Sequence, residues 1–471
     1  MVVDVALYTL VHQPRRLKLP AQPIPRGASV EDITRCLFDE RLNERYFRQV
    51  AQSSYYPAAR MFLDLVRQQG LRLALGLSLS FLRQAERWEP ALLDLFRELV
   101  AEDSVEIIGA EPYHSLHGLI DLAAFALRMR EMADEIEVIF GKRPTVTDTT
   151  GMGMSASIYD ALDTAGFRGA LIESSPRVMQ WRSSNYLYRY CDEPSAVEIK
   201  LPARTKRSSS KNIERDVLRS PSIGEALNES GPYLLARHQE LSADVGLRFS
   251  NAAWSSYPLY ADAYARWIAQ AEGDFILLGW DFETFGEHHA HASGIFEFMQ
   301  ALPGELEHHG VALRTPSELI ERNNRERVHH LPLPVQPTAW SDMYGLNSFA
   351  GYEPQRELFQ LMRDVYNLAR LTENPELLDL SLWLMQIDNL RLLSWPGPQL
   401  ALSVTPQEWR HLGISGIVNE RRRVYLNLLD ALEPYVPARL QRQARQKPPA
   451  KPARRKSASE KQEAPVTTRK K

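Results

Sequence analysis

The sequence predicts an α/β protein: a seven-stranded parallel barrel, then a helical C-terminal domain and a disordered basic tail. Three observations support this. Short apolar runs rich in β-formers alternate with longer helix-like stretches across residues 1–320, the pattern of βα units around a parallel sheet. Helical periodicity without strands follows a proline-dense stretch. Residues 437–471 are dominated by Pro, Lys, Arg and Gln, a composition that cannot bury a core.

In chain order, strands are expected at 3–10, 71–79, 105–109, 145–148, 169–173, 246–250 and 275–280. Helices are expected between them at 56–69, 89–102, 120–140 and 155–165. Seven such units suit a barrel better than a compact open sheet, and barrels gather functional groups at the C-terminal ends of their strands. The polar run Lys206-Arg207-Ser208-Ser209-Ser210-Lys211 lies within 204–231 and reads as a mobile surface insertion. Residues 321–339, including Leu-Pro-Leu-Pro-Val-Gln-Pro at 331–337, read as a linker. Helices at 354–371, 376–393 and 406–432 would build a second domain over 340–436.

A hydrophobic fraction of 44% is that of a globular protein. No apolar run is long enough to span a bilayer, and the first residues lack the marks of a secretory signal. Two cysteines, Cys36 and Cys191, make neither a disulfide framework nor a thiolate metal site. A cytoplasmic location is the expectation. The net charge of −3 hides an asymmetry: 438–471 carries 12 Lys or Arg against 2 Glu, or +10, which leaves −13 for the rest. Such a tail could hold an acidic partner, whether nucleic acid, an anionic membrane face or a protein, or simply solubilise the chain. No aromatics interleave its charges to stack on bases.

Polar residues collect at the expected strand ends. His12-Gln13-Pro14 follows the first strand. Its imidazole and amide can hydrogen-bond a polyhydroxylated ligand, although a proline-stabilised turn explains the same tripeptide. The third strand carries Glu106 and leads into Glu111-Pro112-Tyr113-His114-Ser115-Leu116. The last strand is apolar until it delivers Asp281-Phe282-Glu283-Thr284-Phe285-Gly286-Glu287-His288-His289. Three carboxylates and two imidazoles there are costly unless paired or used.

These segments resemble, in order, the signature regions of glycoside hydrolase family 57. Gly166-Phe167-Arg168-Gly169, Trp181-Arg182-Ser183-Ser184-Asn185-Tyr186, Leu241-Ser242, Leu247-Arg248-Phe249-Ser250 and Gly294-Ile295-Phe296-Glu297-Phe298 resemble its α-amylase branch. The resemblance implies an incomplete (β/α)7 barrel followed by helices, with an α-glucan or oligosaccharide as ligand and no metal or cofactor. It places Asp281 as the catalytic acid/base. It places substrate contacts at His12, Gln13, Glu106, His114, Trp280, Glu283, His288 and Asp388. The nucleophilic glutamate belongs at the end of the fourth strand, where the sequence reads Asp148-Thr149-Thr150-Gly151-Met152 and Gly151 takes its position. Asp148, three residues earlier, is expected to face away and to lie about 10 Å off. A second departure is Gln386-Ile387-Asp388-Asn389-Leu390-Arg391, which keeps the aspartate of a substrate-proximal family segment but loses its histidine and aromatics. Trp280, Trp181, Trp254, Tyr113 and Trp340 could stack on sugar rings, with core packing the commoner role.

Three functions follow. The first is a catalytically impaired homologue that binds α-glucan or regulates its metabolism. The second is an active retaining hydrolase or glucanotransferase pairing Asp281 with another carboxylate about 5–5.5 Å away, or about 6.5–9.5 Å away in an inverting variant. The third is a metal-dependent deacetylase-like enzyme drawing ligands from His288, His289, His291, His12 and His114. Carrying the family's site residues onto this sequence predicts that His12, Glu106, His114 and Asp281 converge on one cleft at one end of the barrel.

Overall fold

A computed structural model describes residues 3–191, 231–324, 328–337, 351–391 and 406–440. The expected insertion at 204–230, Trp340 and the tail from 441 lie outside the described residues. Among the described residues ten strands form one sheet: β1 (Asp4–Val11), β2 (Leu73–Leu77), β3 (Val105–Ile108), β4 (Val146–Thr147), β5 (Gly169–Glu173), β6 (Leu187–Tyr190), β7 (Tyr233–Arg237), β8 (Phe275–Asp281), β9 (Ala312–Leu313) and β10 (Val328–Leu331).

Seven of them close a parallel ring. β8, β1, β2 and β3 pair in that order. A single bridge, Gly109 to Thr147, joins the edge of β3 to β4. β4 then pairs with β5, β5 with β7, and β7 with β8 only at Arg237 and Leu277. The rest of that β7 edge pairs antiparallel with β6, which in turn carries β10. The ring is therefore thin at two seams, consistent with the incomplete barrel expected from the resemblance.

The strand expected at 246–250 is not one. Asp244–Arg248 is a π-helical turn, and the sixth ring strand in chain order is β7 instead. Gly-Leu-Arg-Phe-Ser alternates apolar and polar residues and so imitates a strand. Yet Val245 and Phe249 are the buried pair while Leu247 is exposed, a spacing of four that marks a helical face. The expected linker also begins as structure: Pro316–Asn323 is a helix and Val328–Leu331 is β10.

Strand alternation divides the core. Val5 and Leu7 of β1 face the outer helices Tyr56–Gln69, Pro90–Ala101, Leu122–Phe140 and Ile295–His308. Ala6 and Tyr8 face inward, with Ala74, Ile108, Val146, Leu171, Leu235 and Leu277. Leu319 and Ile320 of helix Pro316–Asn323 plug the end where the strands start. Helices Glu353–Leu371, Pro375–Leu384 and Pro406–Leu432 form a separate apolar cluster that also takes in Leu17, Ile33, Tyr113 and Leu116 from the barrel's own loops. No helix among the described residues is long and apolar enough to cross a membrane.

Arg237 is an unusual interior residue. It bonds Glu173 (Nε to Oε2, 3.0 Å), and the Glu173 side chain is wholly buried. The space for it exists because position 279 is glycine: a Cβ there would sit 2.7 Å from Arg237 Cδ. Removing one partner of a buried pair leaves an uncompensated charge. Arg237→Met should therefore lower unfolding stability by about 3–5 kcal/mol, and adding Glu173→Met should restore most of it. Denaturant unfolding of the wild type and the single and double variants measures both effects.

Candidate active site

The strand register sets the barrel mouth. Leu10 of β1 lies beside Gly76 of β2 and Asp281 of β8. Two residues further along each strand's chain come His12, Ser78 and Glu283, so the sequence delivers its polar residues together where the apolar strands stop.

Asp281 is part-exposed at this rim. Glu283 follows in a 3-10 turn, buried, and accepts a hydrogen bond from Tyr55 Oη at 2.5 Å. Tyr55 Oη in turn accepts from Gln13 Nε2 at 3.1 Å, while Gln13 Oε1 accepts from Arg16 Nη2. Gln13 is thus buried in a network that braces Glu283. Burial first, and then the charge of Asp281, pushes the Glu283 carboxyl up to about 8.

Asp148 corrects an expectation. It faces into the barrel rather than away, because it continues the inward set begun by Val146. Its Oδ2 accepts from Tyr8 Oη at 2.9 Å. Burial, opposed by the Tyr8 bond and aided by the charge of Asp281, pushes it up to about 7. Its Oδ1 is buried with no hydrogen-bond partner among the described residues. Gly151 lies in the buried 3-10 turn just beyond, at φ 60° and ψ 29°, the left-handed region that favours glycine.

A second group meets on the other side of the rim. His12 Nδ1 lies 3.0 Å from Ser78 Oγ, and its Nε2 lies 3.2 Å from Asp388 Oδ2. The rings of His12 and His114 are 4.6 Å apart between centroids. Asp388 arrives from the helical domain on the short helix Asp388–Arg391. It is held there because Ile387 N donates to His114 O, Leu116 N to Met385 O, and Arg15 N to Gln386 Oε1.

Three expected substrate contacts lie elsewhere. Glu106 accepts from Ser317 N and Oγ at 2.9 and 2.6 Å. Ser317 opens the helix whose Glu318 meets Arg72, just ahead of β2, so Glu106 serves the opposite end of the barrel. Its place early in β3, not at the strand's end, is the reason. Trp280 points outward: it packs edge-on against Phe285, and its indole N–H donates to Ser242 O. His288 is exposed on the surface. The His-His-x-His run does not converge either, since His289 bonds Ser250 Oγ and His291 stacks on Phe296. Among the possible stacking residues, Tyr113 is buried beside Trp383 and Trp254 packs on Trp267, whereas Trp181 is 83% exposed. Sequence reasoning passed over Ser78, Tyr8, Tyr55 and Arg237. Only Ser78, just past the end of β2, carried a readable positional signal.

The barrel matches the model of Glycosyl hydrolase family 57 over residues 6–214 and 204–334. The "Putative alpha-amylase" of Methanocaldococcus jannaschii is 28% identical over 370 residues, 77% of this chain and 69% of that protein. In three dimensions the chain is similar to 4-alpha-glucanotransferase from Thermococcus litoralis, with a TM-score of 0.59 at 14% identity. That likeness covers 91% of this chain and 59% of the longer enzyme. The branching enzyme of the same family from Thermococcus kodakaraensis gives a TM-score of 0.54 at 13% identity, over 93% of this chain and 94% of that one.

The raised carboxyl of Glu283 makes stability pH-dependent. The unfolded chain releases this proton near the ordinary value of 4.5, and the folded chain keeps it until about 8. Stability from this group is present at acid pH and declines as pH rises through that window. Glu283→Gln keeps an acceptor for Tyr55 and removes the titration. It should raise Tm by at least about 2 °C at pH about 9 and change it less at pH about 5. Melting curves at the two pH values give the result.

Proposed function

Because the chain belongs to Glycosyl hydrolase family 57, we propose that it binds α-glucan chains at the barrel mouth and is catalytically impaired. One observation carries the reading: the turn after β4 presents glycine, in a left-handed conformation, where the resemblance puts the nucleophile. Asp281 supplies an acid/base at the rim, but double displacement needs a second carboxylate that attacks the anomeric carbon. Without one, no glycosyl-enzyme forms and the oxocarbenium-like transition state lacks an anion on its far face. A protein of this kind acts in glucan metabolism by holding or presenting the polymer.

A second reading has a specific observation in its favour. Asp148 is an interior carboxylate that feels the charge of Asp281, with a proton affinity raised into the neutral range. It would serve an active hydrolase or glucanotransferase if sugar could reach it past Tyr8.

The test separates the two. Purified wild type, Asp281→Asn, Asp148→Asn and Gly151→Glu are assayed for binding to maltooligosaccharides by calorimetry, and for hydrolysis and chain transfer on amylose. The impaired reading expects saturable binding with turnover at background in wild type. It expects at most partial activity from Gly151→Glu, because a side chain in that left-handed turn costs about 1–2 kcal/mol. Robust wild-type turnover lost in both Asp281→Asn and Asp148→Asn would establish the second reading in its place. Absence of carbohydrate binding would overturn both.

A further inference from the structure

We propose that His12, His114 and Asp388 form a binding site for a divalent first-row metal ion of the zinc type. Each offers one ligand atom, and these atoms all lie within 4.8 Å of one another. Two imidazole nitrogens and one carboxylate oxygen suit zinc and its neighbours in the row, whereas an all-oxygen shell would suit calcium or magnesium. Around a tetrahedral zinc with bonds near 2.1 Å, neighbouring ligand atoms stand about 3.4 Å apart. His12 Nε2 and Asp388 Oδ2 are already 3.2 Å apart, and the widest separation, within 4.8 Å, needs to close by at most about 1.4 Å.

The surroundings fit ligation. His12 Nδ1 lies against Ser78 Oγ. That hydroxyl can accept a hydrogen bond from Nδ1–H, which orients the ring and leaves the Nε2 lone pair on the side of Asp388, as the partner of a metal-ligating histidine does. His114 has a φ of 55°, uncommon for a residue with a side chain and sustained only where its surroundings over-determine it. Those surroundings are the hydrogen bonds from Ile387 N to His114 O and from Leu116 N to Met385 O, which pair Ser115 with Gln386 and also fix Asp388. The strained residue and the carboxylate are thus placed by one set of bonds. The side chains of His12 and Asp388 are 10% and 16% exposed, sheltered but reachable from the cleft. Three protein ligands leave at least one coordination position, and at this end of the barrel it would take water or a sugar hydroxyl.

The competing explanation is a His12–Asp388 ion pair in which His114 merely packs. The two differ in what His114 does. Full-length protein, stripped with a chelator, is titrated with zinc by calorimetry and with cobalt(II) by visible absorption, in the absence of carbohydrate. The expected result is one ion per chain with a Kd of about 1 µM or tighter. His12→Gln, His114→Gln and Asp388→Asn should each weaken binding by about 100-fold or more, and outer-shell Ser78→Ala by about 10-fold. His291→Ala, on an exposed turn, should bind as wild type does. Zinc should raise the Tm of wild type and not of the three ligand variants, whose folding is checked by metal-free circular dichroism. Absence of saturable binding in wild type overturns the site. So does binding that survives His114→Gln in a folded protein, or binding lost in His291→Ala. Because no glucan is present, these outcomes are independent of the carbohydrate reading.

Discussion

A guanidinium inside the barrel decides where its carboxylates can sit. Arg237 stands at one of the two thin seams of the ring, where β7 meets β8; its side chain packs over Gly279 of β8 and bonds Glu173, its register partner on β5. Its positive charge also lowers the proton affinity of Asp148, counter to burial and to Asp281. A barrel this small cannot hydrate interior carboxylates, so each must be paired, protonated or placed at the rim. Glu173 is paired, Asp148 and Glu283 have raised proton affinities, and Asp281 keeps contact with solvent. Asp281 at the mouth is the remaining solution to that constraint.

Much of this was readable in advance where physics leaves a long or redundant trace. The helix expected at 56–69 occurs as Tyr56–Gln69, its fourteen-residue apolar stripe ending at Gly70 in a left-handed cap. β8 was legible because Phe-Ile-Leu-Leu-Gly-Trp is apolar on both faces and ends abruptly in Asp281. β7 was missed because Tyr-Leu-Leu-Ala-Arg is only five residues long and ends in a charge whose partner, Glu173, is sixty-four positions away. The direction of Glu106 and Trp280 was illegible for a related reason. A strand's sequence gives alternation, but which alternate faces inward depends on closure of the ring.

The helical domain does more than cover the barrel. Its Asp388 stands against His12 at the barrel mouth, and its apolar cluster is shared with Leu17, Ile33 and Leu116 of the barrel loops. Backbone bonds between Met385 and Leu116 and between Ile387 and His114 hold the position of Asp388, and such bonds do not depend on which side chains surround them.

The late arrival of Asp388 has a consequence for biosynthesis. The last described strand of the sheet ends at Leu331, and Asp388 follows 388 − 331 = 57 residues later. On a ribosome adding about 5–20 residues per second, a nascent barrel would exist for several seconds before that carboxylate left the exit tunnel. During that interval His12 stands without Asp388 beside it, and His114 without the bond from Ile387 N that holds its backbone. Completion of the mouth thus waits for the helical domain, and a message truncated after the barrel would yield a product that keeps the strands and lacks one wall of the cleft.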